Sequence, residues 1–526
     1  MRLRSLLSAS LLPLLAACGP RAPATPPTVE VVVPGARPSS STVTPNACQR
    51  ATARILSTLR EPMLVTAWVT PGSPAFATFS RGLDELLTSY EELAPGQMRH
   101  RILAVTTEEQ RAAARNAGLQ EQAFGEADSN GGAHVFQGFV GVTFTYRDEK
   151  EVIPLMPPDQ GKGLGFWITT KIRETRDRAD ARSSRIGLLT GVGEIKTSEG
   201  NLVAAQGSGP RPNLRAVIEQ ALPYYKFEEV DLHGGASGVP RDLSGLVITQ
   251  PGRDLTRGEL RRIDEFLLLG HTSVAIFAGA VNVAAGDAGM KGSLDRHGLD
   301  LLLDGYGIEL KKDALLDWAR PAQVQFHAQG NPVKLAYPAA AVAEDDRGAD
   351  ERTQGLDPTF IGFFRMEEVV FPFPSTLVVH PDRQPGATLR VVARTSPRTT
   401  SVLDSPVDLR PTRAWTPEGE QGQRAIAVAL EGTIKSAFGA GKSTQPSRLL
   451  VVSSSQFLAN PWARAGNPTT GSAGTTSGDA DLLLLAQPYA QQYLTETILA
   501  FKNTLDWMAD DDDLTACSAL LLGGGK

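Results

Sequence analysis

Cysteine is scarce in this chain, and after its first fifteen residues it has no long apolar run; each shortage closes off a class of function. Three cysteines in 526 residues exclude a disulfide scaffold, so stability has to come from packing. The nearest apolar runs in the body, Leu482 to Leu485 and Leu520 to Leu522, are too brief to span a bilayer, which takes about 20 residues. Lys and Arg are interspersed with Asp and Glu at a net charge of -6. That leaves no basic stripe of the kind nucleic acid requires. The seven histidines, His100, His134, His233, His271, His297, His327 and His380, show neither H-x-H nor H-E-x-x-H spacing, so no metal site is read from them. No G-x-S-x-G nucleophile elbow is present, and no cofactor motif assembles. Asp510 to Asp513 lacks the spaced ligands and glycine of a calcium loop and reads as a solvated helix end.

The most telling stretch that is present is Leu15-Ala16-Ala17-Cys18, which follows Arg2, Arg4 and an apolar run from Leu6 to Leu15. A basic start, a short apolar segment and small residues before a cysteine form a lipoprotein signal peptide with its lipobox. Residues 1–18 are thus expected to be signal and lipobox, with Cys18 as the lipidated first residue of the mature chain. Several acyl chains on one residue suffice for stable anchoring, which predicts a body tethered to a membrane. Residues 19–58, rich in Pro, Ser, Thr and Ala at their start, read as a linker. With Cys18 lipidated, Cys48 and Cys517 remain, and either a disulfide or two unpaired thiols fits the sequence, because separation along the chain says nothing about Cα spacing.

Beyond the linker the expected fold class is α/β. Residues 59–180 carry the order βαβαββα of a thioredoxin-like module: strand 63–69, helix 75–93, strand 101–105, helix 107–117, strands 139–146 and 151–154, and helix 164–178. Its first loop, Thr70-Pro71-Gly72-Ser73-Pro74, contains no CxxC, so redox chemistry is not expected. Residues 181–320 alternate strands and helices, which predicts a doubly wound, mostly parallel sheet. The clearest unit joins the apolar strand Leu246-Val247-Ile248 to a helix opened by Thr256 and Glu259, a capping-box spacing. That helix carries Leu260, Ile263, Phe266 and Leu267, and strand 273–277 follows. Residues 321–412 favour short strands and read as a β-rich insertion. Residues 413–510 complete the α/β domain, ending in a helix over 491–508, and 511–526 form a polar tail.

Two loops invite a chemical reading. Gly441-Lys442-Ser443 resembles the end of a phosphate-binding loop, but the first glycine of that motif would fall at Ser436 and a turn follows, so it reads as a flexible basic loop. Gly191-Val192-Gly193-Glu194 leaves strand 186–190 at the carboxyl edge of the expected sheet, where such folds bind ligands. Gly191, Gly193 and Glu194 are therefore the candidate ligand-binding residues. Ser453-Ser454-Ser455 after a strand reads as a polar loop.

In order along the chain, several segments resemble the gliding-motility ABC-transporter auxiliary family, the GldG-like proteins. They are Ile168-Thr169-Thr170-Lys171-Ile172, Gly187 to Glu194, Leu246 to Pro251 continuing into Leu255 to Gly270, Tyr306-Gly307-Ile308 with Leu316-Asp317, and Asn503 to Met508. The resemblance implies a non-catalytic auxiliary component that works with an ABC transporter. Its expected partners are permease or ATPase subunits or another envelope protein, reached from a lipid anchor with the body in the periplasm. The inner and the outer membrane both remain open. It transfers no catalytic residues, and the lipobox replaces the membrane helices found at both ends of gliding-type members. The competing expectation is an envelope hydrolase or sugar-binding protein with its site near Gly191 to Glu194.

Overall fold

A computed structural model describes residues 46–72, 74–127, 133–156, 164–180, 184–205, 211–222, 225–328, 331–346, 354–357, 359–363, 366–467, 470–471, 474–475, 479–509 and 517. Cys18 and Asp510 to Asp513 lie outside the described residues. Within them, no helix is long and apolar enough to cross a membrane.

Helix α1 (Ala47–Leu56) falls inside the stretch read as linker. Asn46 and Gln49 close a capping box at its start, and Cys48, Ala51, Ile55 and Leu56 form a buried face, a short amphipathic pattern that the proline-rich composition upstream hides. Strand β1 (Met63–Val69), helix α2 (Pro74–Leu93), strand β2 (Met98–Ala104) and helix α3 (Glu108–Asn116) follow. An antiparallel hairpin that the sequence did not reveal comes next, β3 (Gln122–Ala127) with β4 (Ala133–Gly138). Strands β5 (Val140–Tyr146) and β6 (Glu149–Ile153) and helix α4 (Leu164–Ala179) complete the unit. The sheet order is β2-β1-β5-β6, with β1 parallel to β2 and antiparallel to β5.

The larger sheet has nine strands. Its centre is built from β7 (Ser184–Thr190), β8 (Tyr225–Asp231), β9 (Gly245–Thr249) and β10 (Ser273–Phe277), with helix α5 (Leu214–Ala221) between β7 and β8 and helix α6 (Arg257–Leu267) between β9 and β10. Thr256 and Glu259 do form the capping box of α6. The chain continues through β11 (Val281–Asn282), β12 (Lys291–Leu294), helix α7 (Leu299–Gly305), β13 (Ile308–Leu310) and β14 (Ala314–Asp317). Strands β15 (Pro321–Ala328), β16 (Asn331–Glu344) and β17 (Glu368–Pro372) then form a separate antiparallel sheet. Next come β18 (Leu377–Val379), β19 (Ala387–Arg394), β20 (Thr399–Val402), β21 (Val407–Asp408), β22 (Ala425–Gly432) and β23 (Ser447–Val452).

The order across the large sheet is β13-β18-β22-β23-β10-β9-β7-β8, with β19 also on β22. The run from β23 to β8 is parallel and the wing beyond β23 is antiparallel. The span 321–412 is therefore not wholly an insertion, since β18 and β19 belong to the main sheet. Alternation along the central strands divides the core in two. Val247, Ala275, Phe277, Leu450 and Val452 face one cluster, while Leu246, Ile248, Val274, Ile276, Leu449 and Val451 face the other. Helix α5 covers the first face and α6 and α7 cover the second.

After the short helix α8 (Pro461–Gly466), helix α9 runs from Ala480 to Met508, eleven residues earlier than the expected start at Gln491. Pro488 lies inside it. A proline removes one helical donor and usually marks a break, but Leu482, Leu485, Ala486 and Tyr489 on either side are buried in the core, and that packing holds the helix through the proline. Helix α9 also ties the two sheets together. Tyr225 donates to Asp506 at 2.6 Å, Lys502 Nζ lies 2.6 Å from the same carboxylate, and the Lys502 ammonium sits over the Phe166 ring of α4. Cys48 and Cys517 are disulfide-bonded, with Cα atoms 4.6 Å apart, so the two ends of the described chain meet.

Candidate site at the carboxyl edge of the sheet

From β7 the chain turns outward to β8, whereas β9 lies on the other side of β7. In open α/β sheets such a reversal parts the loops and leaves a crevice at the carboxyl ends of the strands. Here the loops leaving β7 and β9 close on each other instead. Val192 O accepts from Gly252 N at 3.0 Å and from Arg253 N at 3.1 Å, Ile195 N donates to Gln250 O at 3.0 Å, and Thr249 Oγ1 donates to Ile195 O at 2.7 Å.

Both candidate glycines serve this closure. Gly191 and Gly193 have φ of 80° and 70°, in the left-handed region that favours glycine. Gly191 O receives Arg253 Nη2 at 2.9 Å, and the same guanidinium pairs with Glu259 at 2.7 Å. The Arg253 hydrogen bonds hold the Glu259 carboxyl below the usual carboxylate range, with further help from Thr256. One residue thus clamps the β7 loop to the first turn of α6. At the closest approach, a Cβ added to Gly252 would run into the Gly193 carbonyl oxygen. Gly252→Ala is therefore expected to cost about 1–3 kcal/mol of stability, while Gly238→Ala, which meets only open space, serves as a control. Thermal denaturation of the two variants checks this, and equal melting temperatures would show that the loops are not packed as described.

Glu194 is 7 % exposed. Its Oε2 accepts from Val192 N at 3.1 Å, and its Oε1 is buried without a hydrogen-bond partner among the described residues. It lines a cavity with Thr190, Lys196, Arg215 and Glu229 of about 20 Å³, space for roughly one water molecule. The turn therefore brings Gly191, Gly193 and Glu194 together, in the role of closing a loop.

The other sequence candidates lie elsewhere. Gly441-Lys442-Ser443 belongs to the hairpin between β22 and β23, at the opposite end of the parallel strands, and Ser443 Oγ accepts from Ile434 N at 2.9 Å. Ser453, at the carboxyl edge, donates to Ser375 O at 2.5 Å, and Ser454 donates to Pro372 O.

A third loop joins the crown of connections and was not anticipated. Leu255 N donates to His297 O at 3.0 Å, which draws Asp254 beside Asp295 and His297. One ligand atom from each of these three residues lies within 4.8 Å of the others. Asp295-Arg296-His297 was the only local signal, because Asp254 comes from a loop 41 residues upstream of Asp295.

Comparison with known proteins gives one match of consequence. A family model described as an ABC-type uncharacterized transport system matches residues 183–486, from the start of β7 into α9. No curated protein matches. Among solved structures, a putative ThuA-like protein from Parabacteroides merdae aligns at 11% identity over 59% of this chain and 91% of that one, with a TM-score of 0.24, too low to carry an argument.

Proposed function

We propose a function from one premise: the chain belongs to the auxiliary family of ABC-type uncharacterized transport systems, whose model spans more than half of the sequence. It is an auxiliary component of an ABC-type transport system. Our finer reading is that Cys18 carries the lipid anchor, that the body lies in the periplasm, and that the α/β domain works by binding a permease subunit, an ATPase subunit or another envelope protein.

The observation that carries the auxiliary role is the family match over the large sheet. The closed loops at the carboxyl edge support binding over turnover: a cavity of about 20 Å³ is far below the several hundred Å³ of a typical substrate pocket. In the same reading the first sheet is thioredoxin-like, since the order β2-β1-β5-β6 with one parallel pair fits that topology with a hairpin added. Helices on both faces of the large sheet fit a doubly wound arrangement.

Affinity purification from crosslinked native membranes tests the function. An ABC permease or ATPase subunit is expected among the specific partners, and Cys18→Ala should release the chain from the membrane fraction and reduce that recovery. Recovery of no transporter subunit would count against the reading. If Glu194→Gln removed a measurable turnover without lowering the melting temperature, the hydrolase alternative would replace it.

A further inference from the structure

The proposed function makes no use of the two carboxylates and the imidazole that meet at the rim of the crown. Asp254 leaves β9, while Asp295 and His297 lie between β12 and α7. His297 Nδ1 is 3.1 Å from Asp254 Oδ1 and 3.9 Å from Asp295 Oδ1. We propose that Asp254, Asp295 and His297 bind a divalent transition-metal ion of the Zn²⁺ or Mn²⁺ class, joining the loop before α6 to the loop before α7.

The argument turns on a residue outside the three. Asn282 Nδ2 donates to Ala280 O at 3.0 Å and to Asp295 O at 2.9 Å, and those two acceptors fix the direction of the amide. Its Oδ1 then faces His297 Nε2 at 3.1 Å. An acceptor at that nitrogen keeps the ring hydrogen on Nε2. Nδ1 is thereby directed at the two carboxylates, and a cation placed among the three groups would be held by all of them. Holding the far N–H of an imidazole with a carbonyl is how proteins orient a metal-binding histidine. The support runs further inward: Asn282 Oδ1 also accepts from Gln250 Nε2 at 2.7 Å, and Gln250 Oε1 accepts from Gly279 N at 2.9 Å at the end of β10.

Distance and exposure agree with this assignment. Bonds of about 2.0–2.2 Å in a tetrahedral site place donors about 3.3–3.6 Å apart, a spacing that the two measured separations bracket. The His297 side chain is 13% exposed and held, Asp295 Oδ1 also accepts from His297 N at 2.9 Å, and Asp254, 79% exposed, extends toward solvent. Nearby arginines are already committed, Arg253 to Glu259 and Arg296 to Asp300 at 3.0 Å. An imidazole with two carboxylates suits zinc or manganese and leaves coordination positions open.

The test titrates Zn²⁺ and, separately, Mn²⁺ into the untagged full chain in detergent at pH 7.5, followed by calorimetry. One ion per chain is expected, with affinity falling at least about tenfold in both Asp254→Asn and His297→Gln. Asp254 is exposed, so its variant keeps the fold. Broadening of the His297 ring resonance by Mn²⁺, assigned by its loss in His297→Gln, is the second readout. No saturable binding up to millimolar metal, or equal affinity in wild type and both variants, overturns the proposal. So does a His297 resonance that titrates as an imidazolium and ignores the metal, since a proton would then be the sole cation at the site. The site does not depend on a transporter partner, so its failure and the failure of the proposed function are separate results.

Discussion

Asp506→Ala is expected to remove about 3–5 kcal/mol of stability, because it strands a buried ammonium. Asp506 is fully buried in α9, and the Lys502 side chain one turn earlier is only 8% exposed. The carboxylate also accepts the Tyr225 hydroxyl at 2.6 Å from the edge strand β8. Taking two charges out of water is expensive, and their attraction offsets that cost only while both are present. The double variant Asp506→Ala with Lys502→Met should therefore recover most of the loss, since an apolar chain of similar volume has no charge to desolvate. Chemical denaturation of the wild type and both variants decides this. If the single variant lost less than about 1 kcal/mol, or the double variant lost as much as the single one, the pair would not be acting as a buried unit.

Replacing both Cys48 and Cys517 with serine is expected to lower stability by about 2–4 kcal/mol. The bond joins α1 to the segment after α9 across 469 residues, and a long closed loop restricts the unfolded chain strongly. Without it, α1 is held by its apolar face and by the contact of Thr52 Oγ1 with Thr169 Oγ1 at 2.7 Å. The variant should melt lower, and α1 should be cleaved earlier in limited proteolysis. Thiol labelling of the unfolded, unreduced wild type checks the premise: two reactive thiols would show that the cysteines are not joined.

Much of the α/β core could be read from the residues because its signals are local. The β9–α6–β10 unit announces itself through an apolar strand, the Thr256 and Glu259 cap and a three-and-four spacing of apolar residues, and all three hold in the structure. Where local and tertiary preferences conflict, the sequence misleads. Pro488 signals a break, yet burial on both sides carries α9 through it. Helix α1 is short and follows a proline-rich stretch, whose composition masks its Asn46 and Gln49 cap. Strands β18 and β19 look like the short strands around them, and only their partner β22 assigns them to the main sheet.

The site divides in the same way. The glycine turn at 191–194 is legible because positive φ and chain reversal are local demands. The Arg253 clamp reaches Gly191 from 62 residues away, and the Asp254, Asn282 and His297 arrangement draws on three loops. No spacing rule along the chain could have assembled either one.

The central claim is that the α/β domain engages a transporter subunit. It is tested most directly by site-specific photocrosslinking in native membranes, with a photoreactive residue placed at exposed Arg257 or Arg241 of the α/β domain or at exposed Arg81 of the first module. The account predicts a covalent adduct to an ABC permease or ATPase subunit from the α/β positions, weakened when Cys18 is replaced by alanine. Adducts to such a subunit from Arg81 alone, or from none of the three positions, would contradict it.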